Sequence, residues 1–207
     1  MKQRQFVHAL TLLLFSLCLT SCSDNKPTLS VLENDAVILA FGDSLTYGIG
    51  ANSKTESYPA VLSRLTGLRV ANKGISGEVS EDALERLPDV LQTLKPNLVI
   101  LCHGGNDIIR RLGKEQLKNN LKQMIILIES SGAEVVLVGV PNFNLMLDVP
   151  KLYPELALEH ELAFEPSILS KIERSPKMKA DQIHPNAQGY KLMAESIHTL
   201  LQGAGAI

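Results

Sequence analysis

Hydrophobic residues along this chain fall into short apolar runs that alternate with longer stretches of helical spacing. Uninterrupted runs occupy residues 37–41 and 98–102, and further β-like runs occupy 68–72 and 134–140. Runs of this length are typical of strands in a parallel sheet, and the uninterrupted ones of strands covered on both faces. The pattern predicts four strands at these places, and we expect a short last strand near residues 177–180.

The stretches between these runs have the spacing or the end signals of helices. Helices are predicted over residues 58–65, 80–87, 117–128 and 186–201. Because proline interrupts a helix interior, Pro88 is expected to end the second helix and to start a shorter one. Strands that alternate with helices predict one doubly wound α/β domain with helices on both faces of a parallel sheet.

The N-terminal residues 1–21 have the features of an export signal. Two basic residues precede an almost wholly apolar stretch at 6–19, which is too short to span a bilayer comfortably. The stretch runs into Leu-Thr-Ser-Cys, which resembles the bacterial lipobox, so we predict that cleavage leaves Cys22 carrying lipid. An ordinary signal peptide or a small anchor helix is the alternative. Ser23 stands where an inner-membrane retention aspartate would be, and the resemblance therefore implies an outer-membrane anchor facing the periplasm.

Behind this signal, a polar tether at 22–35 is predicted to lead into a folded domain at 36–207. The formal net charge is only −2 and there is no basic cluster, which argues against a nucleic-acid partner. Of the three cysteines, Cys18 lies in the signal and Cys22 is the predicted lipidation site. Only Cys102 remains in the domain, so no intrachain disulfide is expected.

Polar residues and glycines follow the carboxyl ends of the predicted strands. In open α/β sheets, ligands bind at these ends. Ser44 follows the first strand, Gly74 the second and Asn106 the third, while Asp181 and His184 precede the last helix. The carboxyl ends of parallel strands share one edge of the sheet, so these residues are expected to converge.

Together these residues suit nucleophilic catalysis. A serine hydroxyl is almost inert at neutral pH and needs a base, for which His184 is the candidate. A carboxylate at Asp181 would fix the histidine tautomer and stabilise the imidazolium. A tetrahedral oxyanion would need donors, and the available set is the N–H groups of Ser44 and Gly74 with the Asn106 side chain.

Four motifs, in order along the chain, resemble those of the SGNH hydrolase (GDSL-type esterase/lipase) superfamily. They are Gly-Asp-Ser-Leu at 42–45, Asn-Lys-Gly-Ile-Ser-Gly at 72–77, Gly-Gly-Asn-Asp at 104–107 and Asp-Gln-Ile-His-Pro at 181–185. The detail is similar to the bacterial periplasmic thioesterase/arylesterase/lysophospholipase group, apart from Gln182, where many relatives have glycine. The resemblance implies a flavodoxin-like three-layer α/β/α sandwich with a five-stranded parallel sheet. It makes Ser44, Gly74, Asn106 and His184 the four naming residues, with Asp181 completing the triad.

The resemblance further implies a serine esterase that hydrolyses ester or thioester bonds of short- to medium-chain acyl substrates, without a cofactor. Candidates for an acyl groove are Ile75 and three residues of the long connection 141–180, namely Phe143, Leu145 and Met146. One alternative is an O-deacetylase of cell-envelope polysaccharide. The other is an envelope-binding lipoprotein without catalytic activity.

Several other residues suggest different chemistry, which we consider less favoured. Asp43 and Asp107 adjoin site positions but are expected to hydrogen-bond loop backbone rather than hold a metal. His103 lacks a carboxylate partner at suitable spacing and is interpreted as structural. The segment 48–53 starts like a dinucleotide fingerprint but lacks its third glycine, so no nucleotide cofactor is expected. Cys102 is expected to be a packing residue.

Overall fold

The computed structural model describes residues 27–207, so the predicted signal peptide at 1–21 and the predicted lipidation site Cys22 lie outside the described part of the chain. One all-parallel sheet has the order β2-β1-β3-β4-β5. Its strands are β1 (Val37–Gly42), β2 (Arg69–Gly74), β3 (Leu98–Cys102), β4 (Glu134–Val138) and β5 (Ala163–Glu165). This is the flavodoxin-like strand order, which confirms the predicted fold class.

Eight α-helices and one 3₁₀-helix connect and cover the strands within residues 27–207. They are α1 (Ser44–Tyr47), α2 (Tyr58–Thr66), α3 (Ser80–Leu94), α4 (Gly105–Arg110), α5 (Lys114–Ser130), α6 (Leu152–Glu159), α7 (Ile168–Glu173), the 3₁₀-helix Pro176–Met178 and α8 (Ala187–Gly203). Helices α2, α7 and α8 pack together on one face of the sheet, and α3, α5 and α6 on the other. Of the helices in this part of the chain, none combines the length and the apolarity that crossing a membrane would need.

The central strands β1 and β3 form the middle of the core, and their carboxyl ends are level. Every residue of β3 is buried, as is every residue of β1 after its first. Gly42, the last residue of β1, pairs with Cys102 of β3 and with Gly74 of β2. The loops after these three strands therefore leave the sheet side by side at its topological switch point, where open α/β sheets bind ligands.

The predicted last strand near residues 177–180 is wrong. Residues 176–178 form the 3₁₀-helix, and Lys179 makes only an isolated antiparallel bridge with Pro185. The fifth strand is β5, whose three residues pair with β4 within the long connection that had no clear sequence pattern. A strand this short at a sheet edge has too few residues for a periodicity to register.

The predicted break at Pro88 is also wrong, because α3 continues through it to Leu94. The buried residues Ala83, Leu87 and Leu91 form one stripe that spans the proline. Pro88 itself is exposed, so water can satisfy the carbonyl that loses its partner. Packing of a continuous apolar face thus overrides the local cost of the proline.

The start of the described chain lies against the amino edge of the sheet. The N–H of Leu29 donates to the carbonyl of Ala204 at 2.9 Å, and that of Leu32 to Ala206 at 2.8 Å. The N–H of Ser30 donates to the carboxylate of Glu134, the first residue of β4. The described part of the predicted tether is thus held at the edge opposite the carboxyl ends of the strands.

Candidate active site

Ser44 lies at the first position of α1, directly after β1. Its neighbour Asp43 is buried and accepts a hydrogen bond from the N–H of Leu45 at 3.0 Å, so it caps this helical turn. Burial raises the pKa of Asp43. A Cβ on Gly42 would lie 2.1 Å from the Cys102 carbonyl oxygen, so only glycine allows β1 to end this close to β3.

His184 connects Ser44 to Asp181. Its Nε2 lies 3.0 Å from Oγ of Ser44, and its Nδ1 lies 2.8 Å from Oδ2 of Asp181. An ionised carboxylate only accepts hydrogen bonds, so Nδ1 carries the proton and Nε2 is free to accept the serine hydroxyl. The structure therefore brings together the three residues predicted as a triad, in the geometry of a serine nucleophile with an oriented base.

The carboxylate of Asp181 is held in its ionised form. Burial by itself would raise the pKa of Asp181, but hydrogen bonds from the N–H of Ile183, from the His184 imidazole and from the N–H of His184 outweigh burial and lower it. Both N–H groups lie 2.9 Å from Oδ1, which leaves Oδ2 for the imidazole. Asp181 can thus fix the tautomer and stabilise an imidazolium.

The loop that carries Asp181 and His184 is fixed by hydrogen bonds on both sides. The Asn186 side chain accepts from the N–H groups of Gln188 and Gly189, as the predicted cap of the last helix. Its amide also donates to the carbonyls of Lys177 and Lys179 at 2.9 and 3.2 Å. One side chain thus joins the start of α8 to the segment before the loop.

Asn106 lies in the first turn of α4, after β3, and faces the same space as Ser44. Its amide Nδ2 donates to the carbonyl of Glu78 at 2.9 Å and lies 3.4 Å from Oδ2 of Asp43. Within residues 27–207 the N–H of Ser44 has no hydrogen-bond partner. The N–H of Ser44 can therefore serve as an oxyanion donor, and so can the second hydrogen of the Asn106 amide, because its 3.4 Å contact with Asp43 is weak.

The N–H of the second predicted backbone donor, Gly74, is already hydrogen-bonded, and Gly77 offers an unpartnered N–H at the cavity. The N–H of Gly74 already donates to Oδ1 of Asn72 at 3.0 Å. A Cβ on Gly74 would lie 2.1 Å from the backbone nitrogen of Tyr47, so this glycine serves the packing of β2 against α1. Gly77 instead borders the cavity at Ser44, has φ of +78°, and its N–H is unpartnered in the described chain. The motif at 72–77 holds both glycines, and sequence alone did not separate their roles.

A cavity of about 130 Å³ opens in front of these groups. Among its lining residues are Ser44, Leu45, Gly77, Asn106, Ile109, Phe143, Ile183 and His184. Of the predicted acyl-groove residues, Phe143 lines this cavity, whereas Ile75, Leu145 and Met146 do not and are exposed. Ile109 was not predicted as a site residue, although its position three residues after Asn106 on a helix puts the two on one face.

Candidates for other chemistry have structural partners. Asp107 accepts from the N–H and the hydroxyl of Ser80, which supports the predicted structural role. No group of three potential metal ligands occurs within residues 27–207. Cys102 is fully buried, and burial raises the pKa of its thiol far above the ordinary value. The prediction that His103 has no carboxylate partner is wrong, because its Nε2 lies 3.2 Å from Oε2 of Glu78.

Comparisons with known proteins show which family this chain resembles. The family model described as the GDSL-like Lipase/Acylhydrolase family matches residues 40–192. The chain is 31% identical to an arylesterase of Vibrio mimicus over 205 residues, covering 92% of this chain and 96% of that protein. It is 30% identical to thioesterase 1/protease 1/lysophospholipase L1 of Escherichia coli over 173 residues, covering 80% and 83% of the two chains.

A solved structure is also similar to this chain. The crystal structure of TesA superposes with a TM-score of 0.73 at 28% identity and covers 81% of this chain and 99% of its own. The motifs, the strand order and these similarities lead to one conclusion. The chain belongs to the GDSL-like lipase/acylhydrolase family, the SGNH hydrolases, and is a hydrolase of this kind.

Proposed function

We propose that this protein is a serine esterase that cleaves short- to medium-chain acyl esters and thioesters through an acyl-enzyme. The observation that carries the proposal is the continuous contact from Asp181 through His184 to Ser44, with distances of 2.8 and 3.0 Å. Such a relay activates a hydroxyl that is otherwise almost inert at neutral pH.

In the proposed reaction, Oγ of Ser44 attacks the acyl carbon while Nε2 of His184 takes its proton. The negative charge that develops on the acyl oxygen is stabilised by the N–H groups of Ser44 and Gly77 and by the amide of Asn106. The imidazolium, held by Asp181, then gives the proton to the leaving alcohol or thiol. Water, deprotonated by the same imidazole, cleaves the acyl-enzyme and restores the serine.

The cavity supports a small acyl group. Pockets for drug-sized ligands measure roughly 300–1,000 Å³, whereas this cavity is about 130 Å³. Phe143 and Ile109 give it an apolar side suited to a short hydrocarbon chain. The named activities of the relatives, arylesterase and thioesterase/lysophospholipase, suggest aryl esters, acyl thioesters and lysophospholipids as substrate classes.

An O-deacetylase of cell-envelope polysaccharide is the second candidate. The small cavity favours it, because an acetyl group would fit while a glycan would remain in solvent. A purely envelope-binding role is disfavoured, because the serine, its base and the base-orienting carboxylate are all in contact.

The test is hydrolysis of p-nitrophenyl esters from acetate to palmitate by the domain and by its Ser44→Ala variant. We expect hydrolysis of the short esters to vanish in the variant. Thr199→Ala, which removes an exposed hydroxyl on α8, is the control and should retain full activity. Acetate-only turnover together with release of acetate from acetylated glycan would select the deacetylase. A folded domain that is inactive on every ester and unlabelled by a fluorophosphonate would contradict both enzymatic functions.

The localisation is a separate proposal, namely a lipid anchor at Cys22 in the outer membrane facing the periplasm. Because residues 27–32 lie at the amino edge of the sheet, an anchor at Cys22 would join the domain on the side opposite Ser44. Substrates would then reach the site from the aqueous side. Incorporation of a fatty-acid probe should be lost in Cys22→Ala, while hydrolysis of water-soluble esters stays unchanged. Equal labelling of both proteins would contradict the anchor.

A further inference from the structure

A buried ionic cluster lies directly behind the loop that supplies Gly77. The Glu78 carboxylate receives hydrogen bonds from Nε and Nη2 of Arg86, the latter at 2.6 Å, and lies 3.2 Å from Nε2 of His103. The side chains of Glu78 and His103 are 5% and 0% exposed. The proposed reaction uses none of these three side chains directly.

Arg86 attaches this carboxylate to the sheet. Its Nη2 also donates to the carbonyl of Lys73 at 2.9 Å, near the end of β2. Its guanidinium lies over the ring of Phe41, 4.1 Å from the ring centroid, at the end of β1. A planar guanidinium with several donors can hold a carboxylate, a carbonyl and an aromatic face at once. The loop after β2 is thereby fixed to two strands and to α3.

His103 attaches the same carboxylate to the end of β3. Its Nδ1 accepts the N–H of Gly104 at 2.9 Å, so Nδ1 is unprotonated and Nε2 carries the hydrogen that points to Glu78. Gly104 directly precedes α4, the helix whose first turn holds Asn106. The hydroxyl of Tyr153 donates to the carbonyl of His103 at 2.8 Å and holds this residue from the opposite side.

The main chain of Glu78 connects the cluster to the proposed oxyanion donors. Its carbonyl accepts the Asn106 amide at 2.9 Å, and its peptide nitrogen follows Gly77. Burial by itself would raise the pKa of Glu78, but the hydrogen bonds from Arg86 and His103 outweigh it and lower the pKa, so the side chain remains charged. A buried ion pair is weak evidence for a role in stability, because apolar replacements of such pairs are often neutral.

We propose that Glu78 is a positioning residue for the oxyanion site. Its carboxylate, held by Arg86 and His103, fixes the backbone around residue 78, so that the N–H of Gly77, one residue earlier, and the Asn106 amide bound to the Glu78 carbonyl point to the same place. The role rests on the proposed function, since it has meaning only if an oxyanion forms at Ser44. A loosened backbone at residue 78 would displace both donors together, which matters most in the transition state.

The test is Glu78→Gln in the full chain, a substitution of equal size that removes the charge. Loss of one donor costs about 10²–10³ in turnover, so misplacing two should lower kcat by about 10- to 100-fold with KM changed less than about threefold. The inhibition constant of an alkyl boronic acid, whose adduct with Ser44 mimics the tetrahedral state, should rise in parallel with the loss in kcat/KM. If Glu78 had only a structural role, the inhibition constant would not rise together with the loss in kcat/KM.

Glu165→Gln is the matched control. Glu165 is also a buried carboxylate; it accepts the N–H groups of Ser167 and Ile168 at the end of β5, away from the cavity. The Glu165→Gln variant should have lower thermal stability than wild type, with kcat and boronate binding unchanged. If Glu78→Gln does not fold, Glu78→Asp, which keeps the charge and withdraws it by one methylene, should fold and show a smaller loss of kcat.

The possible outcomes distinguish a failure of the positioning role from a failure of the proposed function. An active wild type with unchanged kcat and boronate binding in a folded Glu78→Gln or Glu78→Asp variant would overturn the positioning role. An equal loss of kcat in Glu165→Gln would also overturn it, because the effect would then be general destabilisation. A wild type without Ser44-dependent hydrolysis would overturn the proposed function and this role together.

Discussion

The two halves of the site are built in different ways. The half that holds Ser44, Gly77 and Asn106 follows the level carboxyl ends of three strands, and Ser44 is 9% exposed there. The half that holds Asp181 and His184 is a loop before α8, and the Asp181 side chain is 50% exposed. Reactive groups of one site thus stand on a packed sheet edge and on an open loop.

The difference shows that the positions of reactive groups can be fixed in two ways. At the sheet edge, backbones approach so closely that only glycine fits at positions such as Gly42, so packing fixes the geometry. In the loop, hydrogen bonds do this, through the two N–H groups on Asp181 and the four contacts of Asn186. Single polar substitutions should therefore act most clearly on the loop half.

The largest effect is expected from Asp181→Asn. An amide can present a hydrogen-bond donor to Nδ1 and so favours the wrong imidazole tautomer, and comparable changes in serine hydrolases cost about 10⁴ in kcat. The measurement is ester hydrolysis at saturating substrate. Asp89→Asn, an exposed aspartate on α3, is the control and should be indistinguishable from wild type. A loss of less than tenfold in Asp181→Asn would mean that the loop half does not orient the base.

The next effect is expected on the sheet-edge half from Asn106→Ala. Removing one oxyanion donor should lower kcat by about 10²–10³, with little change in KM. Labelling of Ser44 by a fluorophosphonate at a reduced rate would show that the nucleophile is still present. If KM rises and kcat does not fall, Asn106 binds the ground state instead.

A smaller effect is expected from Asn186→Ala, which removes a helix cap and two loop contacts. Loss of the cap should lower the free energy of unfolding by about 1 kcal/mol, and the loosened loop should lower kcat several-fold. Asn186→Asp retains an acceptor for the cap but cannot donate to Lys177 and Lys179. The Asn186→Asp variant should therefore keep most of the stability and still lose activity. If it instead lost stability and kept activity, Asn186 would act only as a helix cap.

The smallest effect is a pH dependence of stability from Asp181. Its pKa is lower in the folded protein than its ordinary value of 3.8, so it stabilises the fold above that value. This contribution is lost as the pH falls through the folded-state pKa. Urea midpoints of wild type and Asp181→Asn should therefore differ near neutral pH and converge in strong acid. A constant difference at all pH values would mean that the charge contributes nothing.

Much of the site could be predicted because each motif adjoins an element that the sequence marks clearly. Ser44 and Asn106 come after runs that are apolar on both faces, and Asp181 and His184 precede a capped amphipathic helix. The position of Gly77 was not predictable in the same way. Two glycines occur in one motif, and only the bond from Gly74 to Asn72 shows which backbone N–H is left free.

The sequence by itself determined the first four strands, the parallel sheet and the family, because periodicity records which faces are buried and motifs record local chemistry. Tertiary structure alone decided that β5 lies at 163–165, that α3 continues through Pro88, and that Glu78 contacts Arg86 and His103. Each of these three features depends on contacts between residues that are distant in the sequence. Such contacts do not produce a periodic pattern along the chain.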